Sequence, residues 1–231
     1  MSDATREEFF RFPHTPHLAW LGQGEPREDK VLGPDDVRAI LSCEVVVEEK
    51  VDGANLGLSV DPSGALRAQN RGAYITADHT PPQFKTLERW LGPKRDDLAA
   101  ALFPDLVLFG EWCYAVHSVR YTRLPDWFLA FDVYDRVKRV FWSAARRDAL
   151  LAELGIEPVP KLGSGRFDLP ELVALLGRSE LAEGPAEGLY VRAEDGEHLL
   201  ARAKLVRAEF VQAIDEHWSR RALEKNSLRA R

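Results

Sequence analysis

An α+β fold, with largely antiparallel sheets flanked by helices, is predicted by three features of the sequence. Short apolar runs of strand length, rich in β-branched and aromatic residues, recur along the chain. Helical patterns fall between them irregularly, without the regular alternation that builds parallel βαβ sheets. Asp, Gly and Pro turn signals separate several neighbouring runs closely enough for hairpins. The 231 residues are 45% hydrophobic and 29% charged, an ordinary balance for a chain that buries a substantial core.

Taken in order, residues 9–20 are aromatic and broken by Pro13 and Pro16, which predicts extended chain packed on the body. His14 and His17 have a metal-like spacing, but the prolines disfavour a helix and no Cys/His partners follow, so no zinc site is expected. Pro34-Asp35-Asp36 starts a helix carrying Val37, Ile40 and Leu41. Residues 44–49, 56–60 and 66–70 read as a meander, with Asp61-Pro62-Ser63-Gly64 as its second turn. Residues 81–91 read as a helix through Phe84, Leu87 and Leu91. Gly92-Pro93 interrupts it before a second helix bearing Leu98, Leu102 and Phe103.

Residues 106–112 are so apolar that they must form a strand buried on both faces, and 127–134 are another. Ser143 caps a helix that Gly155 ends. A further helix runs over 170–176 and stops at Gly177. Strands at 188–192 and 198–203 flank the turn Glu194-Asp195-Gly196-Glu197. A last helix places Val206, Phe210, Ile214, His217 and Trp218 on one stripe. One domain is expected over 1–231, with 1–42 as an N-terminal extension packed on it and 206–231 as a C-terminal helix and basic tail.

No apolar run approaches the length that spans a bilayer, and the first residues lack the basic start and apolar core of a signal peptide. A cytoplasmic location is expected, with Cys43 and Cys113 as buried reduced thiols. The net charge of −6 argues against a surface basic throughout. Residues 202–231 nevertheless carry eight Lys/Arg against four acids, which fits either a solvated helix face or a surface for phosphates.

The chemistry-bearing anomaly is charge inside apolar strands. Glu111 ends one, Asp132 interrupts another, Glu187 opens a third and Lys204 closes a fourth. An unpaired charge there costs several kcal/mol, so such residues pair with one another or bind something charged. Lys50 follows the apolar run Val45-Val46-Val47 and enters the Gly-containing stretch Val51-Asp52-Gly53-Ala54-Asn55. An ordinary hairpin turn has this look. So does a lysine held in place as a covalent nucleophile.

The stretch Lys50-x-Asp52-Gly53-x-Asn55 resembles motif I of the covalent nucleotidyltransferases, the superfamily of ATP-dependent DNA and RNA ligases and mRNA capping enzymes. Later elements follow in that superfamily's order. Asn70-Arg71-Gly72 resembles its Arg-Gly element, and Phe109-Gly110-Glu111 is similar to motif III. Phe131-Asp132-Val133-Tyr134 is similar to motif IIIa, and Glu187-Gly188-Leu189-Tyr190-Val191 to motif IV. Arg202-Ala203-Lys204-Leu205-Val206-Arg207 resembles motif V of the phage-type RNA ligase 2 group. A lone KxDG is weak; six elements in order are specific.

The resemblance implies a nucleotidyltransferase fold and an ATP-dependent RNA ligase that uses Mg²⁺ (or Mn²⁺) and acts on RNA ends or a nicked duplex, in RNA repair. It implies that Lys50 attacks the α-phosphorus of ATP to give lysyl-AMP, while Lys204 and Arg202 neutralise the phosphates. Arg71 would bind phosphate, Glu111 the ribose hydroxyls, and Phe131 would stack on adenine. Glu187, helped by Asp52, would hold the metal's water shell. Asn55 would fix the turn or touch the metal's waters, and Glu49 and Val51 would meet the adenine edge through backbone groups. A DNA nick ligase, a GTP-using capping-type transferase and a non-catalytic nucleotide-binding subunit are the alternatives. Related enzymes carry an OB-fold or a helical domain after motif V, whereas 27 residues follow Lys204 here. No C-terminal OB-fold is therefore expected. Either a protein partner supplies that domain's function or the helix over 206–221 does a smaller version of its work.

Overall fold

The structure, a computed structural model, describes residues 9–23, 31–212 and 223–230. Helix α1 (Pro34–Leu41) opens with proline, which has no N–H to leave unpaired in the first turn, and buries Ile40. Strands β1 (Val45–Lys50), β2 (Ala54–Val60), β3 (Leu66–Gln69) and β4 (Tyr74–Ile75) follow. A 3₁₀ turn at Pro82–Phe84 leads to α2 (Leu87–Leu91), and a second at Gly92–Lys94 joins it to α3 (Arg95–Leu102). The remaining elements are β5 (Leu106–Trp112), β6 (Phe128–Asp135), β7 (Val140–Phe141), α4 (Ala144–Leu154), β8 (Glu157–Pro158), β9 (Lys161–Gly165), α5 (Leu169–Leu175), β10 (Gly188–Glu194), β11 (Leu199–Val206) and α6 (Ala208–Gln212).

Two sheets result. The smaller has the order β11-β10-β1-β9; the larger has β4-β3-β2-β5-β6-β7, with β8 pairing β6. Every pair of strands is antiparallel except β6 with β8. Leu87, Leu91, Leu98 and Leu102 of α2 and α3 pack on one face of the large sheet, against Leu56, Leu58 and Leu108. Its other face presents Phe109, Leu129 and Phe131, joined by Phe12 and Val51. Ile40 of α1 and Leu172 of α5 cover the outer face of the small sheet, against Val45, Val47, Leu189 and Leu205. Among the described residues no helix is long and apolar enough to cross a membrane.

The expected meander divides. β2 and β3 form the predicted hairpin, where Asp61 Oδ1 accepts from Ser63 N and Ala65 N and Gly64 takes a positive φ of 85°. β1, however, pairs with β9 and β10 and belongs to the other sheet. Residues 51–53 therefore carry the chain between sheets and do not form a hairpin. Gly53 sits at the crossing, where an added Cβ would lie 2.8 Å from Trp112 O, so a side chain does not fit there.

The helix read over 81–91 is a 3₁₀ turn followed by a short α-helix, because Pro81 and Pro82 supply no N–H to a continuous ladder. Cys43 is exposed after α1 and does not lie in a strand; Cys113 is buried, and both are free. Val206 ends β11, helix α6 holds Phe210, and the predicted positions Ile214, His217 and Trp218 lie outside the described residues. The cap and stop of α4 are as expected, since Ser143 Oγ accepts from Arg146 N and Gly155 adopts the left-handed conformation; α5 has in addition an Asp168–Glu171 capping box that the sequence reading did not identify.

Between the sheets lies a buried ionic network. Arg192 of β10 donates to Asp132 of β6 at 2.7 Å and to Glu194 at 2.7 Å, and Arg147 of α4 donates to Glu48 of β1 at 2.6 Å. Both guanidinium groups also donate to Phe131 O, and Arg192 adds Trp142 O. Glu48, Asp132, Arg147 and Arg192 are each 2% exposed or less. Removing one partner strands the others in a dry interior, which costs about 3–5 kcal/mol. Arg192→Ala is expected to lose stability on that scale, read as a lower midpoint in urea with an unchanged denaturant slope.

Candidate active site

Side chains alternate along β1. Val45, Val47 and Glu49 face outward, while Glu48 and Lys50 face the large sheet. Lys50 pairs with Gly188 in register, and the chain then leaves for Ala54, which pairs with Trp112. Lys50 is thus delivered at the seam, fixed from the strand behind it. Its Nζ donates to both oxygens of Glu187 at 2.6 Å. Glu187 stands just before β10, held because its carbonyl accepts from Arg207 N. At the neighbouring Gly188 an added Cβ would lie 2.5 Å from Leu205 O, so β10 and β11 approach where only glycine fits.

Lys50 and Glu187 open into a cavity of about 380 Å³, the size of a small-ligand site. The large sheet contributes Asn55 of β2, Glu111 of β5 and Phe131 of β6; Asn55 and Glu111 are direct cross-strand partners. The small sheet contributes Tyr190 and Lys204, likewise paired across β10 and β11. Val51 lines the cavity from the crossing segment. Arg71 enters from the turn after β3, where Asn70 Oδ1 accepts from the amides of Gly72 and Ala73. Arg71, Asn55 and Glu111 also line an adjoining, more open groove of about 490 Å³, with Asp52 and His117.

Burial dominates the electrostatics. It raises the Glu111 carboxyl to about 8; Lys50 pulls the other way, and Asp52 and Glu187 add to the rise. Burial likewise raises Glu187 against the pull of Lys50. For Lys50 burial works against the charge, but Glu187, with Tyr190 and Asp52, outweighs it and holds the amine above the ordinary lysine value. In this state Lys50 is a firmly charged ammonium, neutralised by Glu187.

Eight of the eleven predicted site residues, Lys50, Val51, Asn55, Arg71, Glu111, Phe131, Glu187 and Lys204, converge on the cavity. Three do not line it. Arg202 is paired with Asp132 and lies over the rings of Phe12 and Phe141, each at 4.4 Å, so it belongs to the inter-sheet network. Glu49 faces the other side of β1, where its carboxylate accepts from Ser179 Oγ and Glu180 N, and its own N–H goes to Pro160 O. Asp52 Oδ2 accepts from the amides of Ser118 at 2.6 Å and Val119 at 3.1 Å, so this carboxylate anchors a loop beside the site.

Sequence reasoning missed one wall. Phe12, His14, Thr15, His17 and Trp20 line the cavity. Lys204 N donates to Pro16 O and Leu18 N donates to Lys204 O, so the N-terminal segment runs along the otherwise free edge of β11. The signal was there, as a stretch dense in Phe, His and Trp with no helical period. Extended chain on the body was foreseen; its place in the site was not.

Two antiparallel sheets thus meet at a lysine–carboxylate pair beside an aromatic-walled cavity. The RNA ligase family profile matches residues 43–206, and the chain belongs to that family. Solved structures of Naegleria gruberi RNA ligase share the fold. One with pyrophosphate is 16% identical, with a TM-score of 0.61 over 91% of this chain and 62% of that one. A variant with ATP and manganese is 19% identical, with a TM-score of 0.60 over 78% and 54%. The chain therefore spans about three fifths of the length of the ligases it matches. Comparison with curated proteins returns no match.

The raised Glu111 carboxyl sets a pH dependence. Between the unfolded value near 4.5 and the folded value near 8, the folded state binds the extra proton, so stability falls as pH rises through that window. Glu111→Gln removes this contribution. Its thermal midpoint is expected to gain on the parent progressively between about pH 5 and pH 8, with no divergence below.

Proposed function

We propose that this protein is an ATP-dependent RNA ligase that loads AMP onto Lys50, passes it to a polynucleotide 5′-phosphate and seals that end to a 3′-OH. The observation that carries this reading is the Lys50 amine, clasped by Glu187 at 2.6 Å and open to a cavity walled by Arg71, Lys204, Glu111 and Phe131. The ligands seen with Naegleria gruberi RNA ligase, ATP with manganese and pyrophosphate, fit the substrate, metal and leaving group of such a reaction.

In the first step the Lys50 Nζ lone pair forms a bond to the α-phosphorus while the bond to the pyrophosphate oxygen breaks. Nζ sheds one proton before attack and one as the phosphoramidate forms. In the second, an oxygen of the 5′-phosphate takes the adenylyl group and Lys50 regains its protons. In the third, the 3′-oxygen attacks the 5′-phosphorus and AMP departs. Lys204 and Arg71 neutralise charge building on the phosphates. Glu111 accepts from the ribose hydroxyls, the Phe131 ring packs on adenine, and the Val51 backbone meets its edge.

The site fits a divalent cation. Asn55 Oδ1 is buried without a hydrogen-bond partner, beside Glu111 and Glu187. Among the described residues no three His, Cys, Asp or Glu side chains converge on one point. Glu187 and Asn55, with the remaining oxygen of Asp52, would hold the ion largely through water and phosphate oxygens, the habit of Mg²⁺. Bound there, it would supply positive charge that lowers the pKa of the amine. RNA in preference to DNA, a role in repair, and a protein partner for strand joining belong to the same reading.

Incubation with ATP labelled at the α-phosphate, plus Mg²⁺ or Mn²⁺, tests it. The wild-type chain is expected to take label covalently, Lys50→Ala to take none, and Glu187→Ala to lose it while keeping its circular dichroism. Labelling from GTP and not ATP, or equal labelling of Lys50→Ala, overturns the reading.

A further inference from the structure

The far C-terminal segment closes on the site from outside. Glu224 O accepts from Val116 N, Asn226 N donates to Tyr114 O, Ser227 N donates to Tyr121 O, Leu124 N donates to Ser227 O and Arg229 N donates to Leu124 O. Residues 224–229 are thus laced onto the loop 113–124 by five backbone bonds, assisted by a Glu224–Arg120 ion pair. At the centre is Asn226, 4% exposed although its neighbours on both sides are exposed. Its Nδ2 donates to Cys113 O at 2.8 Å and Ala115 O at 3.0 Å, and its Oδ1 accepts from Tyr121 N at 2.8 Å. One amide ties both ends of the loop together.

That loop holds Asp52. Ser118 N and Val119 N donate to the Asp52 carboxylate, and the Asp52 amide donates to the Tyr121 hydroxyl at 2.7 Å. Asp52 is two residues from Lys50, within the segment that crosses between the sheets. The loop lies in a region without regular secondary structure, so its shape depends on such ties.

We propose that Asn226 is a positioning residue for the AMP-loading step: it fixes loop 113–124, the loop fixes Asp52, and Asp52 fixes the aim of Lys50. The proposal rests on the lysyl-AMP reading above. The three hydrogen bonds of the Asn226 amide are buried, so removing that side chain leaves Cys113 O, Ala115 O and Tyr121 N unanswered. It acts on the rate of attack and leaves the nucleotide cavity, which Asn226 does not touch, intact.

The test is a double-mutant cycle on the rate of label transfer from ATP to the full chain. Asn226→Ala is expected to slow labelling about tenfold, with the KM for ATP within about twofold. Asn226→Asp keeps the acceptor for Tyr121 N but sets a carboxylate against two carbonyls, so it should fail to rescue. In an Asp52→Ala background, which removes the acceptor for Ser118 N and Val119 N, the Asn226→Ala effect should shrink to about twofold, because both changes break one relay. Full multiplication of the two effects, or wild-type labelling by Asn226→Ala, overturns the proposal.

Amide hydrogen exchange at Ser118 and Val119 reads the same relay without activity, and Asn226→Ala should quicken it about tenfold. If the parent takes no label, the ligase reading falls, and unchanged exchange at these two amides then overturns the tie as well. Should Asn226→Ala not fold, Tyr121→Phe removes only the hydroxyl at Asp52 and leaves the strap's backbone bonds. Slowed labelling by that variant sustains the relay; an unchanged rate overturns it.

Discussion

The ionic network between the sheets is the constraint on which the rest depends. Burying four charges is expensive, and it is tolerable only because each finds partners across the seam. Glu48 and Arg192 come from the small sheet, Asp132 from the large one and Arg147 from α4. Any slip of one sheet over the other would break several of these pairs together. Glu48 and Lys50 lie on the same face of one strand, two residues apart. Registration of the sheets by Glu48 therefore registers Lys50 against Glu111 and Asn55 on the opposite sheet. Site geometry here follows from a structural salt bridge, and Arg202 shows the division plainly. It resembles a phosphate ligand in the sequence but serves the seam in the fold.

Electrostatically, the resting cavity is a set of charges waiting for more. Lys50, Arg71 and Lys204 face it as cations; Glu111 and Glu187 face it as acids, with Asp52 alongside. Lys50 pairs with Glu187, and burial pushes the Glu111 and Glu187 carboxyls up. The same pair that keeps Lys50 in place also keeps it protonated and unreactive. On the reading proposed above, a polyphosphate would compete for the cations and a divalent ion for the carboxylates, so that the amine is freed only when both are bound.

Much of this was legible in the sequence because it follows from local rules. The cap and stop of α4, the Asp61 and Asp195 turns, and the doubly buried strands β5 and β6 depend on neighbours in the chain. Motif order marked the cavity well, because charges within apolar strands demand partners and few candidates exist. What failed was long-range. Residues 44–49 and 56–60 look like a hairpin, and nothing local says that β1 pairs instead with β9 and β10. β9, Lys-Leu-Gly-Ser-Gly, has neither apolar alternation nor β-branched residues and shows its nature only as a pairing edge. Period-2 logic applied to β1 and β11 separates Glu49 from Lys50 but places Arg202 on the same face as Lys204. Only the bulged approach of Asp132 on β6 tells the latter two apart.

The N-terminal segment lines the cavity, and the C-terminal segment lies on a loop beside it. The N-terminal segment lies along β11 and supplies Phe12, His17 and Trp20 to the cavity wall, covering an edge that would otherwise expose unpaired backbone groups. The C-terminal strap ties the loop that grips Asp52. Neither is recognisable from strand or helix periodicity, since each is extended chain satisfied by a partner distant in sequence. The motif-bearing strands between them place every cavity-lining charged group except Arg71 and Glu187, which stand on short connections beside the strands. Arg71 is exposed on its Asn70-braced turn and borders both the cavity and the open groove. It is therefore placed to meet a ligand too large for the cavity itself.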